Sequence, residues 1–348
     1  MNGSARSIKQ RLAFLALVSL VSVFPGVGAP AVSRAAAPVV QSRTRPLPVS
    51  GSHAFVSYKS ESKVGCREAT PEEADALTLR GSQPLHLISP AGKTRKQSLT
   101  TEAAGLQILL RATDQLEGYP AAKTAFLNAA ARWESLITTP ITIIVDVDFG
   151  PTWFGQTYDA DVLGQTDSQV LGDSSIYAEV RDSLLGLATD GQRIGLYGSL
   201  PATEVPTDLG ATSYVLAPSA LWRALGFLDP VADPETEQGD LGDPPAVGFN
   251  SKFDYDFDPS DGVDSARIDF DSVAVHELGH VLGFDSNTGY KELVRSSPVA
   301  VSIWDIFRLR PGTTIETFST AQRILSSGGS QDFFDRSEEH TSELQSQR

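Results

Sequence analysis

His276, Glu277 and His280 are the residues whose types and spacing can do chemistry. On a helix, positions four apart leave the same face about one turn from each other. Two imidazole nitrogens so placed can grip one small cation, and zinc is the usual choice for a His-rich, redox-silent site. Glu277 stands beside the first histidine without being a ligand, placed to take a proton from water that a metal has acidified toward ~7.

The elements around these residues must form a helix and then end it. Asp271 is the expected N-cap, its carboxylate also complementing the helix dipole. Ala274, Leu278, Val281 and Leu282 make an apolar stripe opposite the histidines. Gly283 falls where the chain must turn, and glycine takes the left-handed conformation without a Cβ penalty. The bland alternative is an amphipathic helix carrying two surface histidines. It is disfavoured because cap, stripe, ligand pair, base and terminating glycine all agree.

H-E-x-x-H on a helix is the metalloprotease signature. The stretch H-E-L-G-H-V-L-G-F resembles the metzincin motif through Gly283. It then departs: Ser286 stands where that motif has its third histidine, with Asp285 just before it. This ending is similar to the leishmanolysin type and to a group of secreted bacterial metalloproteases, the resemblance covering roughly residues 106–334. It implies an α+β zincin-like catalytic domain with a mixed sheet, a bound Zn2+, Glu277 as general base, His276 and His280 as ligands, and a third histidine and a methionine turn farther along. Met1 is the only methionine, so no such turn lies within these residues, and Asp285 is the candidate substitute ligand. Glu292 and Glu316 are weaker candidates of the thermolysin kind, which Gly283 disfavours.

Around this motif the chain divides into four expected regions. Residues 1–31 read as a secretory signal peptide. Arg6, Lys9 and Arg11 precede an apolar run from Leu12 to Phe24, and Ala29-Pro30-Ala31 offers a cleavage site. The chain is then exported, secreted or periplasmic, with no membrane span in its mature form; an uncleaved anchor is the alternative. Formal charge is -15, about -18 without the signal, and no basic cluster offers a nucleic-acid surface.

Residues 32–98, rich in Pro, Ser and Ala, read as a pro-region or linker, partly disordered and holding one short helix. That helix covers Thr70–Leu79, with a cap, proline at N1 and acids in its first turn. His53 and His86 are here expected to be solvated. Cys66, the only cysteine, excludes an internal disulfide. It is either a solitary thiol or, since a thiolate could cap a zinc ion, a zymogen device, although its surroundings do not match the matrixin switch sequence.

Residues 99–335 read as the catalytic domain. A helix opening at Pro120 carries Ala122, Phe126, Ala129, Trp133 and Leu136 at helical spacing, and Ile141–Val147 follows as a β-branched strand. Asp173 is expected to cap a helix striped by Ile176, Tyr177, Val180, Leu184 and Leu187. A strand over Ser213–Leu216, a short helix over Ser219–Leu225 and a surface loop over 228–247 come next. Phe249–Asp258 alternates aromatic and acidic residues as a strand does; its aspartates fail the EF-hand spacing, which disfavours calcium. Ser302–Phe307 and Phe318–Leu325 read as short supporting helices. Residues 336–348 resemble a translated sequencing adapter, so the gene is expected to be interrupted near Asp335 and His340 to carry no function.

The expected activity is exported zinc-dependent endopeptidase action on protein or peptide substrates. The alternatives are a non-catalytic exported surface or binding protein with a degenerate zinc site, and a zinc hydrolase acting on a non-peptide bond.

Overall fold

The computed structural model describes residues 47, 49–60, 64–81, 83–89, 105–207, 210–233, 239–287, 299–308, 323–324 and 332–333. The fold is mixed α/β. Along the chain run β1 (Val49–Lys59), β2 (Val64–Glu68), helix α1 (Pro71–Thr78), β3 (Leu85–Leu87), β4 (Gln107–Thr113) and a one-turn helix α2 (Asp114–Glu117). Helix α3 (Pro120–Leu136), β5 (Thr142–Gly150), the small hairpin β6 (Thr152–Trp153) with β7 (Gln156–Thr157), and the long β8 (Val162–Asp173) follow. Then come α4 (Tyr177–Leu187), α5 (Gly191–Ser199), β9 (Val215–Pro218), α6 (Ser219–Ala224), β10 (Ala246–Asn250) and the bridge β11 (Tyr255–Asp256) with β12 (Ile268–Asp269). Helix α7 (Phe270–Val281), β13 (Val301–Ser302) and the pair β14 (Arg323–Ile324) and β15 (Asp332–Phe333) complete the order.

A mixed nine-stranded sheet organises these pieces in the order β13-β9-β8-β10-β5-β4-β3, with β1 and β2 added beside β8. Strands β4, β5 and β10 are parallel, whereas β8 runs antiparallel to β10, β9 and β1. Thr166 of β8 stands opposite both Val247 and Phe55, so β1 occupies the edge of β8 that β10 leaves open.

β5 shows why the sheet has two different faces. Ile143, Val145, Val147 and Phe149 point into the core with α3 and α7, as period-two alternation requires. Asp146 and Asp148 point the other way and are nonetheless buried. Asp146 accepts two bonds from Arg111, at 2.7 and 3.0 Å, and one from Arg80 at 3.3 Å, while Arg80 also reaches Asp167 at 3.0 Å. Arg80, just beyond α1, thus clamps the N-terminal elements to the middle of the sheet. The expectation of little structure between 32 and 98 is corrected for residues 49–89: alternating side chains pack Ala54, Val56, Ala69 and Leu77 against Trp153, Phe154 and Tyr158. The expected helix there is present, with a full capping box between Thr70 and Glu73.

Helix α7 lies under the sheet against α3. Phe126 meets Phe270 edge-on at 5.3 Å, and the Trp133 indole donates to the carbonyl of Val275 at 3.0 Å. Ala274, Leu278, Val281 and Leu282 are buried in the core as their spacing predicts.

Several local expectations shift. Asp269, not Asp271, caps α7, accepting from the Ser272 amide at 3.1 Å; Asp271 sits in the first turn and pairs with Arg132 at 2.9 Å. Asp173 ends β8 and bonds Ser175, leaving α4 without a side-chain cap. Residues 249–258 are not one strand, because the chain turns after Asn250 and resumes as β11. Asp256 there accepts amides of Asp258 and Asp264, a turn-forming role. Residues 302–307 form the end of β13 and a 3-10 turn. Among the described residues, no helix is long and apolar enough to cross a membrane. The signal-peptide residues, Glu292, Glu316, His340 and most of 318–325 lie outside the described residues.

Candidate metal centre

The turn that ends α7 decides where His280 faces. Leu282 caps the helix, the Gly283 amide bonds the carbonyl of His280 at 2.9 Å, and the Phe284 amide reaches back to Gly279 at 3.0 Å. This pair of bonds is the Schellman arrangement, and Gly283 adopts φ +94° to make it. The Phe284 carbonyl then faces His280 Nδ1 at 3.0 Å. An Nδ1–H donated there leaves Nε2 as the lone-pair nitrogen, the tautomer a metal requires.

His280 Nε2 lies 3.1 Å from His276 Nε2 with the rings nearly perpendicular. Cys66 Sγ, on β2, is 3.7 Å from His280 Nε2, and the three donor atoms all lie within 4.8 Å of one another. A tetrahedral zinc ion with bonds of ~2.0 Å to nitrogen and ~2.3 Å to sulfur holds its donors roughly 3.3–3.6 Å apart. The donor types suit such an ion, and the His276–His280 and Cys66–His280 separations of 3.1 and 3.7 Å lie near that spacing.

Glu277 projects from α7 into a fully buried position. One carboxylate oxygen accepts from the Ser57 hydroxyl of β1, the other from Thr166 of β8 at 2.5 Å. Ser57, Phe55 and His53 share one face of β1 and lie along α7 in turn. Ser57 is on Glu277, the Phe55 ring is stacked on His280 at 3.8 Å, and His53 Nδ1 is 2.9 Å from Asp285.

Asp285 therefore does not join the donor set expected of it; His53 takes one of its oxygens. Glu68 of β2 holds the other ring nitrogen of His53 at 3.1 Å, and all three side chains are buried. Burial alone would lower the His53 pKa, but hydrogen bonds and charge from Asp285 and Glu68 override it and push it up to about 10. His53, expected to be solvated, is a buried cation between two carboxylates. His86 remains half-exposed beside Glu117 at 2.7 Å, remote from the centre.

Beyond the turn, buried Asp305 fixes the outgoing chain. It accepts from the Ser286 hydroxyl and the Asn287 amide, both at 2.8 Å, and from Arg308 at 3.0 Å. Sequence reasoning placed His276, Glu277 and His280 together and left Cys66 between two readings; it missed Ser57, Thr166 and the His53 cluster. The one signal for them is the alternation H-A-F-V-S-Y over 53–58, whose odd positions all face α7. No protein-family model, curated protein or solved structure matches the chain.

Proposed function

We propose that the chain is a zinc-dependent endopeptidase of the metzincin-like class, seen here in a latent form. The observation that carries the reading is the pair of imidazole nitrogens 3.1 Å apart with Glu277 between them in sequence. His276, His280 and, at rest, Cys66 would hold the zinc ion. When bound, the ion supplies Lewis acidity that polarises a peptide carbonyl and acidifies water. Glu277 takes the proton from the attacking water and delivers it to the nitrogen of the leaving amine, as a general base and then a general acid. Thr166 orients that carboxylate from the sheet.

Latency follows from what occupies these groups. Ser57 and Thr166 use both oxygens of Glu277, Phe55 covers His280, and Cys66 fills the third donor position. Hydrolysis requires β1 and β2 to withdraw from α7. The expected leader peptide supports export, and the acidic composition without a basic cluster argues against a nucleic-acid substrate.

Glu277→Gln is expected to keep stoichiometric zinc by elemental analysis while peptide hydrolysis falls on the order of a hundredfold or more. Undiminished hydrolysis by that variant sinks the assignment. A second reading, a non-catalytic exported protein with a degenerate zinc site, is favoured by the occupation of both Glu277 oxygens and by the Cys66 thiol beside His280. Zinc retained without hydrolysis, even after Cys66→Ala, would select it.

A further inference from the structure

β1 lies over the centre as an added edge strand. It is a strand added antiparallel to the otherwise open edge of β8, with its inward side chains laid over the base, the second histidine and Asp285. Strand addition to a sheet edge is a general mode of peptide recognition, backbone bonds giving affinity and alternate side chains giving selectivity. An extended peptide taking the place of β1 would run its backbone over Glu277 and present one side chain to Asp285.

The surroundings of His53 specify which side chain that is. Asp285 is buried, and only its Oδ2 is used, by His53; Oδ1 has no hydrogen-bond partner among the described residues. Ser168 stands opposite His53 in the β1–β8 register, so the two side chains emerge on the same face. Its hydroxyl is also buried and has no hydrogen-bond partner among the described residues. Glu68, the other group on His53, belongs to β2 and leaves with the hairpin. What stays on the body of the fold is a carboxylate with one unused oxygen and, opposite the position His53 vacates, a hydroxyl. A guanidinium or ammonium satisfies both, whereas an apolar side chain would bury an unpaired carboxylate, the costlier outcome.

We infer that Asp285, seconded by Ser168, is the specificity determinant of the site and selects a lysine or arginine side chain from an extended peptide bound along β8 in place of β1. His53 is the internal surrogate for that cation. The inference rests on the peptidase reading above, but its test does not need turnover.

The binding arm uses the full chain carrying Glu277→Gln, which cannot turn over, and His53→Ala, which loosens β1. Fluorescein-labelled peptides with the sequence of residues 49–59 carry lysine, arginine or norleucine in place of the histidine, and binding is read by fluorescence anisotropy. The lysine and arginine peptides are expected to bind about tenfold or more tighter than the norleucine peptide. Adding Asp285→Asn should bring the three within about twofold of one another. Equal affinities, no binding of any peptide, or a preference that survives Asp285→Asn each overturn the inference. If His53→Ala fails to fold, as circular dichroism would show, His53→Gln keeps a donor toward Asp285 and replaces it.

The hydrolysis arm profiles Cys66→Ala on a peptide library. Cleavage with no preference for a basic residue overturns this inference and leaves the peptidase reading standing. Lysine-selective binding without cleavage of any peptide does the reverse.

Discussion

His53 sets the electrostatic problem at the scale of single residues. A charged imidazole is held between Glu68 and Asp285 with almost no solvent contact, so removing it leaves two buried carboxylates without a counter-charge. Its pKa is raised from 6.5 in the unfolded chain to about 10 in the fold. A raised basic group stabilises the fold fully below its unfolded pKa, and that contribution is lost as pH rises through the folded value. Stability should therefore decline between about pH 6.5 and about pH 10 relative to His53→Gln, which has no such titration. Urea unfolding of both proteins across that range measures the difference, and parallel profiles would refute the charged assignment. Glu277 poses a different problem. A buried carboxylate accepting two hydroxyls is well satisfied in place and is shut off from water by the strands that supply them, which is why its chemistry waits on the withdrawal of Ser57 with β1.

At the scale of elements, α7 is placed by its two ends. Asp269 starts it and Gly283 stops it, and the stop aims the Phe284 carbonyl at His280. A Cβ on Gly283 would meet Leu221 Cδ1 at 2.3 Å in a left-handed conformation that L residues avoid. Gly283→Ala should cost about 2–4 kcal/mol, strain and overpacking together. It should also weaken metal binding through the displaced His280 ring. Denaturant midpoints and a zinc titration check both, and a loss under about 0.5 kcal/mol would show that the turn is more tolerant than its geometry implies. The β1–β2 hairpin is the complementary element. Its inward residues cover α7 while its outward residues pack on Trp153 and Tyr158, so one short segment belongs to both the scaffold and the site.

At the scale of the whole molecule, one ion would join three distant parts of the chain. Cys66 arrives from a hairpin added to the sheet, and His276 and His280 arrive from the helix beneath it. A ligand that binds only the folded state adds stability by mass action, about 4 kcal/mol at a thousandfold excess over its dissociation constant. Chelation should lower the thermal midpoint by several degrees and zinc should restore it, with no response in His276→Ala. Calorimetry with and without chelator tests this. An unchanged midpoint in protein shown to have carried zinc would mean that the centre contributes nothing to the fold.

The sequence alone determined what depends on neighbours within a few turns. The placing of His276, Glu277 and His280 on α7, its buried stripe, the glycine stop, helix α3 with β5 behind it, and the capped start of α1 were all legible, because helical spacing and caps are local physics. β8 was not: its glycines and polar residues have poor strand propensity, and it is a strand because β10, β9 and β1 pair with it. Only the tertiary structure decided that Cys66 reaches His280 across 214 residues, that Asp285 faces His53 across 232, and that a strand from the expected pro-region lies over Glu277. Such contacts arise from sheet order, and sheet order is set by which edges find partners once the chain collapses, a choice no local pattern of residues records.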